Sequence, residues 1–137
     1  VGTAALTHLA PRGIRMAYAP SPLVVHSQNC RGLNIPERGS HLLRSLKQQH
    51  VSVAMLQETH LRPETNKLLK DKTYPTNYYS NHPTARKAGT AILLASHLQF
   101  KPIDTLSDAG GRFLFVKGEI AQKVYTFATV YTPNSGQ

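Results

Sequence analysis

The stretch VSVAMLQETHL, residues 51–61, decides how the rest of the chain is read. Its first six residues carry no charge, and only Ser52 among them is polar. Apolar residues at successive rather than alternate positions predict a strand covered on both faces. The run then stops at Gln57 and Glu58. An unpaired ionised carboxylate is among the costliest groups to bury, so a glutamate at the end of a core strand calls for a chemical use.

Working outward, TAILLA (90–95) is another strand apolar on both faces, and FKPIDTL (100–106) follows as its hairpin partner. LVVHSQN (23–29) alternates as a strand, and RGLNIPERGS (31–40) reads as a Gly- and Pro-rich loop. Ser40 is the expected N-cap of a helix reaching Gln49, with Leu42, Leu43 and Leu46 on one side. Pro63 and Glu64 open a shorter helix to Leu69. YPTNYYS (74–80) suits an edge strand, because a proline cannot donate to a central ladder. DAGG (108–111) marks a turn, and RFLFVKGEI and KVYTFATVY form two strands around a turn at Ala121 and Gln122.

Two helices and about seven strands predict an α+β chain, mainly one mixed sheet with both helices on one face. Strands apolar on both faces then lack cover on the other side. The missing layer is expected from a partner, from self-association, or from sequence that has been lost. Residues 1–22 hold no acidic residue and three prolines, and are expected to be unpacked; residues 23–137 form the domain. The chain begins with Val1 rather than Met, so the residues before Met16 are expected to be upstream read-through or a cloning remnant.

A length of 137 residues suits one domain, and 40% hydrophobic residues suit a folded one. The net charge of +9 favours an anionic partner, nucleic acid before membrane surface. No apolar run is long enough to span a bilayer, and no membrane partner is expected. Cys30 is the only cysteine, which excludes an intrachain disulfide and a cysteine zinc cluster and suits a reducing compartment. The seven histidines show no zinc-site pairing. An intracellular and, for a DNA-acting protein, nuclear location is expected.

The polar residues at strand ends are NCRGL (29–33), QET (57–59) and YTPNSG (131–136), with KAGTAILL (87–94) and GRFLFVKGEI (111–120) between them. In this order the set resembles the exonuclease/endonuclease/phosphatase superfamily, and within it the apurinic-type endonuclease domain of LINE-like (non-LTR) retrotransposons. The resemblance covers residues 23–137 and is specific as a set, each motif alone being weak. It implies part of a four-layer α/β-sandwich, Mg²⁺ or Mn²⁺ as cofactor and DNA as partner. It makes Glu58 the direct metal ligand, with Asn29 part of the same site and Gln57 bracing it or meeting substrate. Tyr131 would approach the scissile phosphate, and Asn134 would contact the phosphate backbone. Arg31, Arg86, Lys87 and Arg112 are the basic side chains first expected at DNA. Such roles suit a hard cation, which prefers oxygen ligands and keeps several waters.

Plainer readings stand beside these. Asn29 can cap a turn, Tyr131 can be an amphipathic strand aromatic, and TPNSG alone is a turn. His60 adjoins the site without being the family's base. The family's Asp-x-Asn and Ser-Asp-His motifs do not occur in this sequence; Asp104 and Asp108 lie in or beside a hairpin. The resemblance therefore implies the N-terminal portion of a DNA-nicking phosphodiesterase domain, truncated at its C-terminus and inactive by itself. The alternatives are a non-catalytic nucleic-acid-binding or interaction module derived from it, a relative acting on a phospholipid or inositol phosphate, and a degenerate genomic copy.

Overall fold

The structure is a computed structural model that describes the backbone of residues 2–9 together with residues 23–84 and 87–132. The core is built on β3 (Val53–Gln57) and β5 (Thr90–Leu94), every residue of which is buried. They pair antiparallel, with Gln57 opposite Thr90. On the outer side of β3 lies β2 (Val25–Asn29), parallel to it, and outside β5 lies β4 (Thr76–Ser80), antiparallel. A parallel pair needs a long crossover, and α1 (Pro36–Gln48) supplies it. The order β2-β3-β5-β4 makes a mixed sheet with β4 at its edge, as Pro75 beside it requires.

One face of this sheet is covered by Leu42, Leu43 and Leu46 of α1 and by Leu69 of the 3₁₀ helix Pro63–Leu69. Each such buried leucine contributes about 1.5–3 kcal/mol relative to exposure. Gly39 lets α1 approach that helix closely: a Cβ there would stand 3.2 Å from the Leu68 carbonyl oxygen. The helix begins four residues before the expected Ser40 cap. Ile35 is its N-cap and Pro36 opens the first turn, where a missing N–H costs nothing and Glu37 faces the positive end of the helix dipole. Lys47 in its last turn pairs with Asp71 at 2.7 Å.

The other face is not bare. β6 (Lys101–Ser107), β7 (Phe113–Ile120) and β8 (Lys123–Tyr131) form a second sheet that packs on β3 and β5. Burial along β7 alternates, with Leu114, Val116, Gly118 and Ile120 inward. A Cβ on Gly118 would run into the Phe100 ring, which fills that space. The expected α+β arrangement with a mixed sheet and helices on one face is present, and the cover expected from a partner or from lost sequence is instead supplied by the second half of the chain. The described residues form an α+β sandwich of three layers, helices, mixed sheet and antiparallel sheet.

Two further expectations change. FKPIDTL does not pair with TAILLA. The 3₁₀ turn Ser96–Leu98 and a left-handed Gln99 carry the chain across to the other sheet, where β6 pairs with β7. Residues 2–9 are not unpacked either, since β1 (Gly2–Leu9) pairs antiparallel with β8, Gly2 opposite Tyr131. Residues 10–22 lie outside the described residues. The β7–β8 hairpin turns at Ala121 and Gln122 as expected, both with positive φ.

Candidate active site

At one end of the sandwich the strand tips are joined by backbone hydrogen bonds. Cys30 N–H donates to the Gln57 carbonyl (2.8 Å), Gly32 N–H to Glu58 (2.7 Å) and Leu33 N–H to Thr59 (2.7 Å). On the other side of the same loop, Thr59 and His60 donate to the Gly89 and Ala88 carbonyls (3.1 and 3.0 Å). Gly89 N–H in turn donates to Gly111 (2.8 Å), and Tyr131 N–H to Arg112 (2.6 Å). The ends of β2, β3 and β8, the start of β5 and the β6–β7 turn therefore form one continuous network.

Its backbone is unusual. Arg31, Glu58 and Ala88 have φ of 51°, and His60 has 56°. Side-chain-bearing residues held there cost about 1–3 kcal/mol each and persist where the surroundings fix them. Gly89, at φ 93°, is a necessity rather than a preference, because a Cβ would collide with the Thr59 hydroxyl.

Asn29 lies in register with Gln57, and Tyr131 lies two residues beyond Thr129, whose hydroxyl reaches Gln57. The Asn29, Gln57, Thr129 and Tyr131 positions therefore share the face between the sheets at its open end. The Glu58 charge is felt by both neighbours. Burial first, then the Glu58 carboxylate, pushes the Tyr131 phenol above its ordinary range. Burial pushes the Cys30 thiol up to about 12, with Glu58 adding to the effect against Arg38 and the Gln57 hydrogen bond, which excludes Cys30 as a thiolate nucleophile.

Asn29 also does what the plainer reading says, its Oδ1 accepting from the Arg31 N–H at 3.2 Å. The Arg38 guanidinium holds this turn from α1 by donating to the Arg31 and Cys30 carbonyls, at 3.1 and 3.3 Å. Arg31 and Arg112 are exposed on two of the joined loops, and Lys87 on a third. Gln57 is 1% exposed and donates to Ser27 Oγ, the Met55 carbonyl and Thr129 Oγ1. Its amide is therefore turned to partners inside the fold. The His60 imidazole covers Gly32, its Nδ1 2.9 Å from where a Cβ would stand. Asn134 and Arg86 lie outside the described residues. Sequence reading placed Thr59 at a strand end without giving it a role, and passed over Thr129, which lies in the buried stretch of β8.

The joined strand ends thus carry an acid, an amide and a phenol on an α+β sandwich. Over residues 26–136 the chain matches the Endonuclease/Exonuclease/phosphatase family, and it belongs to that family. Among named proteins it is 28% identical over 114 residues to the "Transposon TX1 uncharacterized 149 kDa protein" of Xenopus laevis, spanning 83% of this chain and 9% of that one. Among solved structures it is similar to D. rerio TDP2 complexed with single strand DNA product, with TM-score 0.59 and 20% identity over 83% of this chain and 48% of that one. A humanized D. rerio TDP2 carrying 14 mutations gives TM-score 0.56 and 22% identity over 73% and 43%. The structural likeness shows the fold, and the chain spans about half the length of those proteins.

Proposed function

We propose that this chain supplies the Glu58-bearing part of a divalent-metal-dependent DNA endonuclease of retrotransposon type, which nicks one strand by phosphodiester hydrolysis. The carrying observation is the network joining the tips that bear Asn29, Glu58 and Tyr131. Family membership and the transposon relative support the class of reaction.

Among the described residues no three of His, Cys, Asp and Glu cluster as a metal site. The donors at hand are one carboxylate and one amide oxygen, both hard, and they fit a divalent cation that keeps most of its waters. Glu58 and Asn29 would hold Mg²⁺ or Mn²⁺, which when bound would offset charge on the phosphoryl oxygens. Tyr131 retains its proton at neutral pH and donates a hydrogen bond to a phosphate oxygen, a preorganised contact of the kind that favours a transition state. Arg31, Lys87 and Arg112 attract the polynucleotide backbone. A base to activate water is not among these side chains: Asp108 pairs with Arg112 at 3.1 Å, and Asp104 is exposed on β6. Loss of such a base costs roughly 10⁴-fold in rate, so these residues alone turn over near background.

The test is Mn²⁺ binding, read by water-proton relaxation, beside nicking of supercoiled plasmid. The expected result is binding lost in Glu58→Ala with little nicking by either protein. Equal binding by wild type and Glu58→Ala would overturn the site. Strong wild-type nicking abolished by the substitution would support the site and overturn inactivity. The exposed Arg31, Lys87 and Arg112 favour a second reading, a non-catalytic nucleic-acid-binding module. It predicts DNA retention on filters that chelator does not alter, with a salt slope reduced by about 0.9 for each phosphate contact removed.

A further inference from the structure

Between the two sheets the packing is apolar except at the site end. There Gln57, Thr90 and Ser80 stand opposite one another across β3, β5 and β4, all on one face and all buried. Two bonds cross from this row to the second sheet. The Ser80 hydroxyl donates to the Asp108 carbonyl at the β6–β7 turn. The Thr129 hydroxyl accepts from Gln57 Nε2 at 2.8 Å and donates to the Leu56 carbonyl oxygen at 3.5 Å. Thr129 is 0% exposed, so its hydroxyl is shielded from solvent.

The place of this second contact matters. Gln57 immediately precedes Glu58, and Thr129 stands two residues before Tyr131 on the same face of β8. Apolar packing resists separation of the sheets but is non-directional, so it tolerates small slips. A buried hydrogen bond has a preferred length and angle and is costly to leave unmade. Placed one and two residues from the reacting groups, it fixes the tip of one sheet against the tip of the other.

We propose that Thr129 is a positioning residue: its hydroxyl, held by Gln57, sets the distance between the Glu58 and Tyr131 tips. That it serves catalysis rests on the endonuclease reading; that it fixes the tips does not. The discriminating pair is Thr129→Val, which keeps the shape and removes the hydroxyl, and Thr129→Ser, which keeps the hydroxyl and removes a methyl group. A side chain that only fills space predicts Val close to wild type and Ser the looser.

Amide hydrogen exchange reads the difference. In Thr129→Val the N–H groups of Gly32, Thr59 and Tyr131 are expected to exchange about tenfold faster, while those of β3 and β5 in the core are unchanged. Thr129→Ser is expected to stay at the wild-type rate at the tips. Gln57→Met removes the donor from the other side and gives the Val pattern, so the result stands if one variant folds poorly. Tip protection retained in Val, or lost equally in Ser and Val, overturns the proposal. If the Val–Ser order holds while the wild-type chain binds no Mn²⁺ at Glu58, the endonuclease reading falls and the clamp remains.

Discussion

The two sheets are built to different standards. In the mixed sheet β3 and β5 are buried at every position, pressed between helices and strands. In the antiparallel sheet β6 is exposed along its whole length, with Ile103 and Leu106 at 53% and 61% exposure, and β7 is buried at alternate positions. Glu58 grows from the first sheet and Tyr131 from the second. The carboxylate is thus carried by the more rigid support, and the phenol depends on what ties its sheet to the other.

The largest effect should expose this contrast directly. Leu56→Ala in β3 is expected to cost about 2–5 kcal/mol in urea unfolding, against within about 0.5 kcal/mol for Leu106→Ala in β6. Comparable losses would show that the two sheets are supported alike. Next comes the joint between loops: Gly89→Ala must adopt φ 93° and press on the Thr59 hydroxyl, so a loss of about 1–3 kcal/mol is expected with faster exchange at Thr59. Wild-type stability there would mean that the network yields easily.

Thr90→Val sharpens the comparison in the opposite direction. The Thr90 hydroxyl is 0% exposed and has no hydrogen-bond partner among the described residues, so its removal is expected to raise stability by about 1 kcal/mol. A loss in the same melt would show a partner for it. Smallest at neutral pH is Cys30. Its thiol is raised from 9.0 to about 12 in the fold, so its contribution is complete below pH 9.0 and disappears as pH climbs towards 12. Wild type is expected to lose stability over that interval more steeply than Cys30→Ala, by urea titration at stepped pH. Parallel curves would remove Cys30 from the account.

The strand-end residues were legible because NCRGL and YTPNSG combine turn formers with polar groups, and QET sets a carboxylate at the end of an apolar run. The run 51–56 and the TAILLA strand announced burial on both faces. What they could not announce was the source of the cover. The passage from β5 to β6 is made by a left-handed glutamine rather than by Gly or Pro, so nothing in its composition signals a change of sheet. GTAALTHL escaped notice because its pairing with β8 is a backbone affair, and small residues leave little pattern to read. The early start of α1 was hidden by Gly39, a loop former by habit that here lets the helix lie close to Leu68. Of the site, Glu58, Asn29 and Tyr131 could be nominated from sequence, whereas the Thr129 hydroxyl acquires meaning only when two sheets face each other.

The turn at Ser96–Leu98 divides the chain unevenly: β1 to β5 precede it, and β6 to β8 follow. Severing the chain there would yield two fragments, each retaining its own hairpins or crossover. They would share the β1–β8 ladder, the interior between the sheets and the tip bonds from Gly89 to Gly111 and from Ser80 to Asp108. Complementation of such fragments, each fused to half of a reporter, would turn sandwich formation itself into a signal.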